Sequence, residues 1–241
     1  MFDLSGKVAL VTGAGGKRVG TGAGIAEALA SQGAHVIVND LDETAATGTL
    51  EAIRSAGGSA SLAVFDVTDH HQVDAGVAAA VAEVGPVDIL AASAGGGPIG
   101  QFVDLDPVAF EKSVQLNFFA AVYCTRAVLP AMRERRYGRI VVVASAAGSV
   151  GLAMGTSAYG SAKAGLMGFI RHLAWEVGPY GITANSIAPG LVTSVVESSD
   201  APVGRSGTPE DLGPLCVYLA SNEAAWLTGQ AIQINGGSYM G

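Results

Sequence analysis

The sequence predicts an α/β protein: a doubly wound parallel sheet of about seven strands with helices on both faces, built as one domain over residues 1–241. Three observations predict it. Short β-branched runs alternate with longer Ala-rich amphipathic stretches from end to end, the pattern of right-handed βαβ crossovers. Apolar residues make up 49% and charged residues 14%, with 34 glycines, which suits strands buried on both faces and joined by tight turns. No linker, charge block, low-complexity tract or repeat interrupts the alternation.

The first strand is Lys7–Val11, apolar and β-branched, stopped by glycines. Ala-rich Gly22–Gln32 follows as a helix, and Val- and Ile-containing Ala34–Asp40 is the second strand. Helical Asp42–Ala56 opens on an acidic capping residue and leads to strand Ser59–Val67. Helix His70–Val84 starts behind Asp69 and precedes strand Val87–Ala92. The stretch Pro107–Arg135 predicts one long helix, opened by proline and closed by arginines that complement its dipole, before strand Arg139–Ser145. Helix Tyr159–Pro179 leads to strand Ile182–Ile187, and helix Pro209–Ala220 leads to strand Gln230–Ile234.

Several functions are disfavoured at once. A net charge of −8 and a pI near 4.9 argue against a nucleic-acid partner, because a phosphate backbone demands a basic face. Cys124 and Cys216 are too few for a disulfide framework and lack metal-ligand spacing, so buried thiols are expected. The opening MFDLSGKVALVTG lacks the basic-then-apolar layout of a signal, and the expected location is the cytoplasm. The uncharged run Ile140–Ala162 has membrane-spanning length, but glycines and hydroxyl residues break it, so no membrane partner is expected. Asp69, His70, His71 and Asp74 have metal-like content at a helix start, where an acidic cap and solvated imidazoles are expected; no metal is assigned.

In such sheets ligands bind beyond the carboxyl ends of the strands, and each residue that follows falls there. The first strand runs into Thr12-Gly13-Ala14-Gly15-Gly16-Lys17-Arg18-Val19-Gly20-Thr21-Gly22, where a helix opens. Its glycines allow close backbone approach, and the helix N-terminus offers free N–H groups to a pyrophosphate. The second strand ends in Asp40, placed to accept from both hydroxyls of a ribose and to repel a 2′-phosphate, which favours NAD. Lys17 and Arg18 point the other way, because basic residues in that loop neutralise a 2′-phosphate, so NADP is the lesser alternative. The plainer reading of Asp40 is a helix cap, a task Asp42 or Thr44 serves as well.

Tyr159-Gly160-Ser161-Ala162-Lys163 puts a phenol and an ammonium one helical turn apart on one face, with Ser145 fourteen residues upstream. A fixed cation beside a phenol favours phenolate and makes tyrosine a usable proton donor and acceptor near neutrality. Ser145 is placed to hold a substrate oxygen beside it. With six tyrosines and four lysines, such a spacing arises by chance roughly one time in ten, so alone it is a weak signal; its place just after a predicted strand gives it weight.

These segments, with Asp66, Ala94-Gly95, Asn117 in the long helix and Asn185-Ser186-Ile187-Ala188-Pro189-Gly190, resemble the classical short-chain dehydrogenase/reductase family along essentially the whole chain. The resemblance implies a Rossmann-like fold and an NAD(P)-dependent oxidoreductase acting on CH–OH groups, interconverting a secondary alcohol and a ketone by hydride transfer. It assigns Tyr159 as general acid/base and Ser145 as the group that orients the carbonyl. Lys163 would hold the nicotinamide ribose and lower the Tyr159 pKa, and Asn117 would keep open a helix kink and a water path to Lys163. The cofactor would meet Gly13, Gly20, Gly22, Asp40, Leu41, Asp66, Val67, Ala94, Gly95, Tyr159, Lys163, Ile187, Val192 and Ser194. Of these, Asp66 and Val67 fall at the adenine, and Ile187 and Val192 at the carboxamide edge of the nicotinamide.

Three departures stand out. Six residues separate Gly13 from Gly20 where the family usually has three, so the phosphate loop is longer. The usual Asn-Asn-Ala-Gly is Ala92-Ser93-Ala94-Gly95, which removes an asparagine hydrogen bond that steadies the central strands in relatives. Nine residues separate Ser194 from Gly204, where relatives carry a two-helix lid and Thr is more usual than Ser194, so an open pocket is expected near 193–207.

Phe118, Phe119, Tyr123, Phe169 and Trp175 fall on the two long helices, which relatives pair across a twofold axis; a homotetramer or dimer is implied. Ala146, Leu152, Met154, Leu191, Val195 and Val196 near the expected pocket are apolar, and the expected substrate is a small hydrophobic ketone or alcohol rather than a sugar phosphate or dicarboxylate. β-Ketoacyl carrier-protein reductases, which the chain also resembles, use basic residues at the positions of Arg136 and Tyr180. One of the two matches, which leaves a β-ketoacyl-thioester reductase using NADPH as an alternative. A catalytically silent nucleotide-binding subunit is the other; Asn117, Ser145, Tyr159 and Lys163 together argue against it, because folding does not require all four.

Overall fold

The computed structural model describes residues 1–15, 20–97, 99–152 and 155–240; Lys17, Arg18 and Met154 lie outside the described residues. Seven strands form one parallel sheet in the order β3-β2-β1-β4-β5-β6-β7. The strands are β1 (Val8–Thr12), β2 (His35–Asp40), β3 (Ser59–Val64), β4 (Ile89–Ala92), β5 (Gly138–Val143), β6 (Ile182–Pro189) and β7 (Ala231–Ile234). β1 and β4 are hydrogen-bonded neighbours although two strands lie between them in sequence, so the winding reverses there and a crevice opens above their carboxyl ends.

Side chains alternate across the sheet with the period of two that a pleated strand imposes. Ala9, Val11, Val36, Val38, Ile89, Ala91, Val141 and Val143 enter one core with α1 (Thr21–Ser31), α2 (Glu43–Ser55) and α7 (Pro209–Ala220). Leu10, Ile37, Leu90, Ala92, Ile140 and Val142 enter the other with α3 (His70–Val84), α5 (Ala120–Arg135) and α6 (Ser157–Val177). Both faces are covered, which is why the central strands read as unbroken apolar runs. Among the described residues no helix is long and apolar enough to cross a membrane.

Of the boundaries that differ from expectation, four shape the crevice. β3 stops at Val64 because its partner β2 ends at Asp40, and Asp40 pairs with Val64. Phe65 to Val67 then leave the sheet into the crevice. β5 stops at Val143; Ala144 N–H still reaches the Ile187 carbonyl (2.8 Å), and Ser145 starts a 3-10 turn at Ala146–Gly148. The sixth strand runs past Ile187 to Pro189, because β7 continues to pair with it there. The long helix is two helices, α4 (Pro107–Val114) and α5, joined by a π-helical turn at Gln115–Phe119. Asn117 causes it: its Nδ2 donates to the Ser113 carbonyl (2.9 Å), the acceptor that a regular helix would give to the Asn117 backbone N–H.

Candidate active site

The crevice holds two joined lobes. One, of about 530 Å³, is lined by Gly13, Gly20, Asp40, Leu41, Asp66, Val67, Ala94 and Gly95, with Asn39, Phe65, Thr68 and Leu116 behind them. The other, of about 590 Å³, holds Ser145, Tyr159, Lys163 and Val192 with Ala146, Leu152, Leu191 and Ile99. The lobes share Thr21, Ser93 and Gly95.

At the first lobe the glycines are steric requirements. Gly13 has φ +62°, and a Cβ there would lie 2.6 Å from Ala94 Cα; a Cβ on Gly22 would lie 2.3 Å from the Gly13 carbonyl oxygen. Gly22 is buried beneath the loop and packs it rather than lining the lobe. Asp40 does not cap α2. Asp42 does so, accepting from Thr44 N–H (2.9 Å) and Ala45 N–H (3.1 Å). The Asp40 carboxylate instead accepts from Gly15 N–H through one oxygen (2.9 Å) and Asp42 N–H through the other (3.0 Å), with lone pairs left for a ligand. Asp66 is turned inward by Thr68, whose N–H and hydroxyl both reach it (2.8 and 2.7 Å). Leu41, 66% exposed, forms an apolar lip.

The second lobe is built from β5, α6 and the π-helical turn. Lys163 is buried and its Nζ donates to the Val143 carbonyl at the end of β5 (2.7 Å). Burial without a carboxylate pushes its pKa down to about 8. Asn117 accepts from Gly96 N–H (2.9 Å) and donates to the Gly96 carbonyl (2.6 Å), so the π-helical turn fixes the loop after β4. A Cβ on Gly95 would lie 2.9 Å from both Asn117 Oδ1 and Lys163 Nζ, so both atoms close on the same bare face of that glycine. Ser145 Oγ accepts from Ala147 N–H (3.2 Å), which holds the hydroxyl at the mouth of the 3-10 turn.

The expectation that Lys163 acidifies Tyr159 is not met by these side chains. Burial raises the phenol above its ordinary value, and the neighbouring Ser145 hydroxyl pulls it back only in part. The ammonium lies 5.6 Å from the ring centroid and turns to Val143 instead. Desolvation of the phenolate is the larger influence on Tyr159, and the Ser145 hydroxyl is the group that opposes it.

Further placements follow from where the strands and loops run. Ile187 is fully buried in the core and its carbonyl is taken by Ala144, so it lines neither lobe; Pro189, Gly190, Leu191 and Val192 do. Ser194, Val195 and Val196 are exposed and outside both lobes. Segment 193–207 contains no helix: Val192 bridges Gly207, Ser198 bridges Arg205, and Arg205 grips Asp211 of α7 through both terminal nitrogens (2.7 and 2.8 Å). Asp69 caps α3 through His71 N–H (2.9 Å), and Asp74 pairs with Arg126. Sequence reasoning missed Thr21, although it stands inside the glycine segment, and Ser238, which only the β7 crossover brings to the catalytic lobe.

A sequence model of the family described as enoyl-(acyl carrier protein) reductase matches residues 15–239. A 3-oxoacyl-(acyl-carrier-protein) reductase of Vibrio cholerae is 34% identical over 250 residues, covering 99% of this chain and all of its own length. The chain belongs to the short-chain dehydrogenase/reductase family. A short-chain reductase of Streptomyces niveus is 37% identical over 248 residues, 95% of this chain and 93% of its own. The crystal structure of gox2181 superposes with a TM-score of 0.90 at 32% identity, covering 98% of this chain and 96% of that one. One from Agrobacterium tumefaciens superposes at 0.91 and 30%, covering 99% of both chains. As a member of this family the chain is an oxidoreductase acting on CH–OH groups with a nicotinamide cofactor. The two-lobed crevice fits that cofactor: a glycine cradle that any Cβ would fill, a carboxylate at one end and a phenol, hydroxyl and ammonium at the other.

Proposed function

We propose that this chain interconverts a secondary alcohol and a ketone on a small, neutral, largely apolar substrate, with NAD as cofactor. The observation that carries the substrate class is the catalytic lobe itself: among its described lining residues Lys163 is the one charged side chain, and Ile99, Val143, Ala144, Ala146, Leu152, Leu191 and Val192 supply apolar wall. Such a lobe offers nothing to pair a substrate phosphate or a second carboxylate. The NAD reading is supported by Asp40, which is free of capping duty and sits in the adenosine lobe, where its charge opposes a 2′-phosphate.

In this reading the dinucleotide, when bound, supplies or accepts the hydride. Ser145 orients the carbonyl oxygen, and Tyr159 gives that oxygen its proton during reduction and takes it back during oxidation. The raised phenol pKa keeps Tyr159 protonated at neutral pH, ready to donate. Lys163 holds the nicotinamide ribose and, with Asn117, keeps the path by which Tyr159 is reprotonated. Gly13, Gly20, Leu41, Asp66, Val67, Ala94, Gly95 and Val192 shape the cofactor groove. One domain spans both lobes. A homotetramer or dimer through α5 and α6 is supported by exposed aromatic rings on α6 and on the π-helical turn that leads into α5, Trp175 at 86% and Phe119 at 38%. A cytoplasmic setting is supported by two unpaired, buried thiols whose pKa values are pushed up to about 12.

A 3-oxoacyl-thioester is the second reading, favoured by the 34% identity to the Vibrio cholerae reductase along the whole chain. Arg136, the one matched basic position, spends a guanidinium N–H on the Pro179 carbonyl (2.7 Å), and Arg133 stacks on Tyr180. Titration with NADH and NADPH, followed by turnover of aromatic, aliphatic and acyl-thioester ketones, separates the readings. We expect tighter NADH binding, narrowed by Asp40→Ala, and turnover of free apolar ketones. Preference for NADPH in the parent, or turnover confined to acyl-thioesters, overturns the first reading.

A further inference from the structure

Thr21 and Ser93 meet where the two lobes join, their hydroxyl oxygens 2.8 Å apart. Thr21 is the first residue of α1 and Ser93 follows β4, so the pair bridges the two sides of the switch point between β1 and β4. Among the described residues, those common to both lobes are these two and Gly95, which has no side chain. Ser93 is only 8% exposed. Ser93 also stands in the segment where the family usually carries asparagine, so its hydroxyl partner is a feature of this chain.

Two hydroxyls sharing one hydrogen bond use one of their two hydrogens. Whichever oxygen donates, one O–H remains, and because both residues line both lobes it is within reach of a ligand that spans them. A dinucleotide lying with its adenosine against Asp40 and its nicotinamide against Tyr159 passes this junction with its pyrophosphate. A hydroxyl donating to an anionic oxygen forms a charge-assisted bond, stronger than a neutral one. We propose that Thr21 and Ser93 act together as a positioning pair that grips the pyrophosphate and sets how far the nicotinamide half reaches into the catalytic lobe. The inference rests on the dinucleotide reading of the cleft.

The test is direct binding of NADH, ADP and adenosine to the parent and to Thr21→Val/Ser93→Ala, by nucleotide fluorescence and calorimetry. The two ligands with a pyrophosphate are expected to lose about tenfold in affinity, and adenosine to stay within twofold. Thr21→Ser, which keeps a hydroxyl, is expected to match the parent. Unchanged NADH and ADP affinity overturns the pair's role, and so does an equal loss for adenosine, which reports a distorted lobe. Failure of the parent to bind NADH or ADP at all refutes the dinucleotide reading instead.

Discussion

Lys163→Met exchanges a buried ammonium for an uncharged chain of similar length, and its consequence for stability follows from one displaced equilibrium. Lys163 is held at about 8 in the folded protein against 10.5 in a solvated chain, with desolvation as the cause. At neutral pH the folded state therefore carries a charge that it disfavours by two to three pKa units, about 3 kcal/mol. Below pH 8 both states hold the proton and the penalty is fully present. Between about 8 and 10.5 the unfolded chain binds more protons than the folded one, so the parent gains stability as pH rises through that window. The variant lacks the group and lacks this gain. It also loses the Nζ bond to the Val143 carbonyl, about 1 kcal/mol. The net expectation is a variant more stable than the parent by about 2 kcal/mol at pH 7, with that gap closing by pH 10. Urea unfolding of both proteins at pH 7, 8, 9 and 10 measures it. Taking the difference at each pH cancels the other titrating groups shared by the two proteins, Tyr159 among them, whose raised pKa acts with the opposite sign. A gap that does not change with pH refutes the reasoning; so does a variant less stable than the parent by pH 7.

Tyr159→Phe is expected to abolish turnover of every ketone while NADH affinity stays within a few-fold, because the phenol oxygen moves the proton; retained activity in steady-state assays refutes that role. Asn117→Ala leaves the Gly96 N–H and carbonyl and the Ser113 carbonyl without their partner, so a loss of about 1–3 kcal/mol in urea unfolding is expected, with lower kcat. Equal stability and kcat would show that the loop after β4 does not depend on the π-helical turn. Gly22→Ala drives a Cβ to 2.3 Å from the Gly13 carbonyl, backbone against backbone, and is expected to destabilise by about 1–3 kcal/mol and weaken NADH binding more than tenfold. Calorimetry showing unchanged affinity would remove the steric account of the cradle.

The chain's order of strands and helices, the placement of Gly13, Asp40, Asp66 and Ser145 near strand ends, and that of Asn117, Tyr159 and Lys163 on helices, were legible without coordinates. Periodicity and turn chemistry are local, and a parallel sheet turns every strand end toward one crevice. What sequence reasoning could not settle depends on contacts between distant segments. Strand ends were misjudged because a strand stops where its neighbour stops, as Val64 does at Asp40. Ile187 was placed at the cofactor although its side chain falls on the core face, a one-residue question of register that flips with the pleat. The Thr21–Ser93 bond joins residues 72 positions apart, and Ser238 lies 79 positions beyond Tyr159, with which it shares the catalytic lobe. The acidity of Tyr159 was decided the same way: a spacing of four positions brings the ammonium near, but only the folded protein decides whether water or apolar wall surrounds the phenol, and here burial raises its pKa.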